Sequence, residues 1–317
     1  MSLQDYLVSR RSIRKGIIYV KRIKIPGFEG LTLYDFLELY LVGIIKGALT
    51  SRAGGIAFSF FMAVFPFTLF LLTLIPYIPV DGFQDYIFTS LQDVLPPSSF
   101  LAVESTILDI LNNKQGGLLS IGFIMAAIFA TNGINSVISG LTFSYHDLEL
   151  RSIVSQYVVS FYLTFILTFL IVISGAIVIL SEIFVNKFSD NDLIAEYIPD
   201  LIRVGRYLIL AIMLFFSVSL IFYYGPKTNQ HWKFISPGAF LTTILIVVIS
   251  YLFGIYVSNF GQYNKLYGSI GTLLVIMLWM YVLAIVLLIG FDLNASIWRM
   301  KIHAKLRARK RRLIGNE

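Results

Sequence analysis

The chain has 317 residues, 57% of them hydrophobic and 14% charged, with a formal net charge of +7. A soluble domain carries about a quarter charged residues, so this composition excludes water as the solvent for most of the chain. Cysteine is absent and the histidines, His146, His231 and His303, stand far apart, which excludes disulfides and thiolate chemistry and argues against a metal centre.

Residues 1–30 form a basic tail. The stretch Ser9-Arg10-Arg11-Ser12 superficially matches a twin-arginine export signal, but Lys21, Arg22 and Lys24 stand where an apolar run is required. A cytoplasmic tail touching anionic lipid headgroups is the better reading. Across residues 31–49, Leu33, Phe36, Leu37, Tyr40, Leu41, Ile44 and Ile45 recur at helical spacing, with Asp35, Glu38 and Lys46 between them. That pattern predicts an amphipathic helix lying on the membrane surface. A seventh span is the alternative, weakened by its acidic residues and its shortness.

A spanning helix needs about 20 apolar residues at about 1.5 Å rise each. Six segments qualify, near residues 56–78, 118–143, 154–185, 204–224, 238–257 and 270–294. The fold class expected is therefore an all-α integral membrane protein with six transmembrane helices and an N-terminal interfacial helix. Between the first two spans, residues 80–116 carry short amphipathic pieces broken by Pro96-Pro97 and form the largest expected external element. The domain plan is tail 1–30, membrane domain 31–297 and basic tail 298–317.

Placing the chain through Arg52, the C-terminal tail and the loops near 144–153 and 225–236 on one side gathers 20 of the 25 Lys and Arg there. The opposite loops hold only Lys114, Lys187 and Lys265. The positive-inside rule puts both termini in the cytoplasm, in agreement with an even number of spans.

Asp292 is the only acid deep in an expected span. An intramembrane carboxylate is costly unless paired, protonated or hydrated, which suggests function. The alternative is a helix-end anchor near Trp298 and Arg299. In the second span Asn132, Ser136 and Gly140 fall on one face at i, i+4 and i+8, with Asn135 and Ser139 beside them. Such a stripe lines a hydrated path or, more commonly, lets helices approach and hydrogen-bond. Pro66 lies mid-span, where its missing N–H leaves the Met62 carbonyl without its helical partner, so a bend is expected and a hinge is a candidate role. The polar, aromatic connection 261–268 is either an access point or, more simply, an interfacial anchor.

Ser236-Pro237-Gly238-Ala239, Tyr267-Gly268-Ser269-Ile270-Gly271, Leu278-Trp279-Met280-Tyr281 and Gly290-Phe291-Asp292-Leu293-Asn294-Ala295 resemble the hallmark series of the YihY/virulence factor BrkB family. Ala53-Gly54-Gly55-Ile56-Ala57, Phe65-Pro66 and Ile134-Asn135-Ser136-Val137-Ile138 resemble its N-terminal motifs. The family usually has Gly-Ala-Glu where this chain has Gly290-Phe291-Asp292. The resemblance implies a bacterial inner-membrane protein, often described as a transporter and sometimes carrying an old ribonuclease BN label.

RNA hydrolysis wants clustered His and Asp ligands or a positioned acid and base, and no such constellation is found. No enzymatic activity and no cofactor is expected. A transporter or flippase of an amphiphilic or envelope-related solute fits six spans, a polar second span, a kinked first span and one buried acid. A non-transporting envelope scaffold is the alternative. The expected candidate path is Asp292, Asn132, Asn135 and Ser139, and the expected partners are the lipid bilayer and anionic headgroups. A homo-oligomer is compatible with the composition, and no specific nucleic acid is expected.

Overall fold

In hydrocarbon a spanning segment must satisfy its backbone N–H and C=O groups internally, so long apolar runs fold as helices. The computed structural model describes residues 32–78, 83–94, 97–143, 151–189, 198–227, 233–258 and 269–314. The basic tail 1–30, His146, His231 and the connection 261–268 lie outside the described residues.

Helix α1, Leu33–Lys46, opens with a capping box in which Thr32 N–H donates to Asp35 Oδ2 at 2.7 Å and Asp35 N–H donates to Thr32 Oγ1 at 3.2 Å. Leu37, Leu41 and Ile45, spaced four apart, are exposed on one face, while Phe36 and Leu39 pack against Met300 and Ala304. One part of the apolar stripe is thus docked and the other is exposed.

The chain then turns sharply into α2, Leu49–Leu74. Ala48 adopts a left-handed φ of 48°, and Gly47 is buried where a Cβ would strike the Gly43 carbonyl and come within 2.8 Å of Arg52 Nη2. The elbow therefore requires glycine at 47, and it sets the position of Arg52 one turn later. Helix α2 runs through Pro66 without interruption and ends in a 3-10 turn, Ile75–Tyr77.

Helices α3, Phe83–Val94, and α4, Pro97–Asn112, fill the segment expected between the first two spans. Ile107 and Leu111 of α4 pack on Ile75 and cover that end of α2. The remaining helices are α5, Gly116–Thr142; α6, Ile153–Ser189; α7, Ile198–Tyr224; α8, Pro237–Ser258; and α9, Ser269–Ile314. Six helices are long and apolar enough to cross a membrane: Leu49–Tyr77, Gly116–Thr142, Ile153–Val178, Leu201–Tyr224, Pro237–Val257 and Gly271–Ile302. These match the six expected segments. The first begins seven residues earlier than hydropathy indicated, which brings Arg52 inside the helix.

The six spans pack in chain order, α2 on α5, α5 on α6, α6 on α7, α7 on α8 and α8 on α9, and α9 returns to pack on α2. The ring is closed. The tightest seam, α2 against α5, follows from small residues: a Cβ at Gly122 would meet the Phe70 backbone at 3.3 Å, one at Gly133 the Phe60 ring at 3.3 Å, and one at Gly140 Ile56 Cδ1 at 2.8 Å. Small residues allow such approach where apolar contact with lipid offers no net drive to associate. Ala53, Ile56, Leu141, Phe222, Leu288, Phe291 and Ala295 close the core at the end where α2 begins. Phe222 and Phe291 meet edge to face, with centroids 5.5 Å apart.

Helix α9 does not stop where the sixth apolar segment ends. It continues as one helix of 46 residues to Ile314, through the segment expected to be a separate C-terminal tail.

Candidate functional site

Three helices of the ring bring polar groups to one buried point. Arg52, in the first turn of α2, donates from Nη2 to Asp292 Oδ2 of α9 at 3.0 Å and from Nη1 to the Gly140 carbonyl of α5 at 2.8 Å. The side chains of Arg52 and Asp292 are only 7% and 1% exposed. Gly140 lies in the last turn of α5, where carbonyls have no intrahelical donor, so the guanidinium also serves as a helix cap. Both charges are compensated, yet Arg52 Nε and Asp292 Oδ1 have no hydrogen-bond partner. Burying such a pair is costly, and removing either member alone costs more.

Tyr40 on α1 closes this layer from outside, donating to the Ile289 carbonyl at 3.2 Å. Its phenol pKa is pushed up to about 12, first by burial and then by the negative charge of Asp292.

One turn deeper, Ile56 and Leu288 form an apolar layer beneath the ion pair. Beyond it lies a cavity of about 300 Å³, lined from five of the six spans by residues that include Phe60, Val137, Ile221, Ile246 and Trp279. The cavity is apolar and partly open. On the α2–α5 side, Arg52, Ser136, Ser139 and Gly140 line an open cleft of about 230 Å³.

The joint between α8 and α9 gives a structural reason for the Ser-Pro-Gly-Ala and Gly-Phe-Asp-Leu-Asn motifs. Ser236 caps α8, Pro237 occupies its first turn, and Gly238 N–H donates to Asn294 Oδ1 at 2.7 Å. A Cβ on Gly238 would strike the Gly290 carbonyl, and one on Gly290 would strike Thr242 Oγ1.

The expected site residues do not form one group. Asp292 is buried on α9 with Arg52 as its partner, rather than anchored at a helix end by Trp298 and Arg299, because α9 runs on for several turns beyond it. Asn135 and Ser139 face α6, where Gln156 Nε2 donates to Asn135 Oδ1 at 2.8 Å and to Ser139 Oγ at 2.7 Å. Ser136 meets Ser59 of α2 with oxygens 2.6 Å apart. Asn132 is half-buried on α5, and Pro66 lies inside α2 well beyond Phe60. Sequence reasoning passed over Arg52 and Gln156. A lone basic residue next to small residues at a span boundary was the available signal for Arg52, and it reads equally as an interfacial charge. Among the described residues no group of three or more His, Asp or Glu is placed to hold a metal ion.

Six apolar helices closed into a ring, with one charged layer buried between them, define a multi-pass integral membrane protein. The chain belongs to the virulence factor BrkB family, whose sequence profile matches residues 43–313. It is 31% identical over 251 residues to a protein of Bacillus subtilis (strain 168) whose name calls it ribonuclease-like, YfkH, covering 79% of this chain and 90% of that one. A UPF0761 membrane protein of Tolumonas auensis is 28% identical over 120 residues, 38% of this chain and 36% of its own length. Another from Stenotrophomonas maltophilia is 22% identical over 256 residues, 78% of this chain and 57% of its own. The chain thus spans most of YfkH but only about a third to just over half of these other two relatives. No solved structure matches the chain.

Proposed function

We propose that the protein moves an amphiphilic solute, a lipid or an envelope precursor, across a bacterial inner membrane, with both chain termini in the cytoplasm. One observation carries this reading: an apolar, partly open cavity of about 300 Å³, lined from five of the six spans, is separated from one end of the bundle by an apolar layer and a buried ion pair. The cavity suits the hydrocarbon part of the solute, and the Arg52–Asp292 pair closes the cytoplasmic end. Rupture of that pair would open a route toward the cleft beside Ser139, and Pro66, on the same helix as Arg52, is the hinge this motion would use. The test is reconstitution into liposomes with fluorescent lipid analogues and a membrane-impermeant quencher. Protein-dependent translocation supports the reading, and rates equal to protein-free vesicles overturn it.

A scaffold role is the second reading, favoured by the hydrogen bonds that join Asn135 and Ser139 to Gln156. These residues serve helix packing, which a scaffold needs as much as a transporter does. The absence of translocation by a folded, stable protein would select it.

A further inference from the structure

A second cavity, of about 130 Å³, opens between the start of α8 and α9, at the end of the bundle where α2 begins. Its polar lining comes from Lys233, Ser236, Asn294 and Lys301, and Ile297 and Trp298 supply an apolar wall. The hydrogen bonds already formed there determine what remains. Ser236 Oγ accepts from Ala239 N–H at 3.2 Å and from Asn294 Nδ2 at 2.8 Å, so both lone pairs are engaged and its O–H is left to donate. Asn294 accepts from Gly238 N–H through Oδ1 and gives one Nδ2 hydrogen to Ser236, which leaves a second N–H on a residue only 7% exposed. The N-terminus of α8 offers nothing more, because Pro237 has no N–H and those of Gly238, Ala239 and Phe240 are all taken. Lys233 and Lys301 are exposed and form no ion pair with an acid among the described residues.

Among the side chains, what is left is a hydroxyl donor, an amide donor and two ammonium groups, with no free side-chain acceptor. Such a set recognises an anion rich in oxygen acceptors. We propose that this cavity binds the phosphate of an anionic phospholipid in the adjoining leaflet. The apolar wall decides for a lipid over a soluble phosphate: Trp298 lies at the end of a span, where indoles sit at headgroup level, and Ile235, 73% exposed, stands between Lys233 and Ser236. Trp298 and Lys301 belong to the basic segment 298–317, but the site is a defined pocket with its own donors rather than the diffuse attraction expected of the tails. It involves neither the ion pair nor the larger apolar cavity.

Native mass spectrometry of the delipidated protein titrated with phosphatidylglycerol or phosphatidylcholine tests the proposal, with inorganic phosphate as the soluble arm. The expected result is one tightly retained phosphatidylglycerol and no comparable retention of phosphatidylcholine. Lys233→Gln/Lys301→Gln should weaken retention about thirtyfold, equivalent to about 1 kcal/mol for each lysine near a charged surface. Lys114→Gln, at the opposite end, should leave it unchanged. Both lysines are exposed, so the double variant is expected to fold, and the comparison of lipids on wild type needs no variant at all. Equal retention of the two lipids, or undiminished retention by the double variant, overturns the site. Displacement of the lipid by equimolar inorganic phosphate overturns the choice of a lipid as its ligand.

Discussion

Arg52 and Asp292, 240 residues apart in the chain, meet at 3.0 Å and join the first span to the last. Neither charge has another ionic partner among the described residues, so each makes burial of the other tolerable. Asp292→Asn leaves Arg52 buried without its counter-charge, and Arg52→Gln does the reverse. Each single change should cost roughly 3–5 kcal/mol, whereas Arg52→Met/Asp292→Leu should recover most of the loss. Thermal unfolding in detergent reads this directly. Wild-type stability in either single variant would remove the pair from the account of the fold.

Glycine positions that look alike in sequence should separate sharply. Gly290→Ala puts a methyl group against Thr242 Oγ1 and within 2.8 Å of the Gly238 carbonyl, so α8 and α9 must part, at a cost of about 1–3 kcal/mol. Nothing lies within 4 Å of a Cβ at Gly54. There Gly54→Ala should be neutral or stabilise by up to about 1 kcal/mol. Equal melting temperatures for the two variants would contradict the packing.

Tyr40 gives a spectroscopic handle on the same region. Its pKa of about 12 lies above the ordinary 10.0, so the folded state favours the neutral phenol. The stability it confers is fully present below pH 10 and is lost as pH rises toward about 12. Alkaline titration followed by phenolate absorbance should show one late-titrating tyrosine that disappears in Tyr40→Phe. Loss of the bond to Ile289 should also cost about 1 kcal/mol.

Gln156→Ala separates packing from transport. It removes the donor to Asn135 and Ser139 and should lower stability by about 1 kcal/mol, typical of interhelical hydrogen bonds in membranes. Translocation per folded molecule should not change. A large loss of flux at unchanged stability would return Asn135 and Ser139 to the path.

Topology follows from charge. Reporter fusions after the last residue should read cytoplasmic, and insertions beside Asn112 should read external. An external C-terminus would reverse the orientation proposed for the closed end.

The number and placement of the spans were legible because apolar length is a one-dimensional property. The amphipathic spacing of α1 was legible for the same local reason. Residue pairs across the ring were not, since nothing in the sequence around Arg52 distinguishes a charge facing α9 from one at a headgroup. Asp292 was legible as exceptional, but its surroundings were not: the reading of a helix-end anchor assumed that the helix stopped near Asn294, whereas the charged turns after it continue the same rod. The stripe on α5 was read as either path or packing, and only its direction toward Gln156 or Ser59 separates the two.

Closure of the ring between its first and last members also has a consequence in time. A ribosome working at about 5–20 residues per second completes Asp292 roughly 12–48 s after Arg52. Through that interval α2 must hold a cation that has no acid to meet, and its place in the first helical turn lets the side chain reach up to the headgroups while it waits. Arrival of the sixth span supplies the acid that Arg52 pairs with in the folded bundle. A chain truncated before α9 would lack Asp292, and Arg52 would be left without its counter-charge.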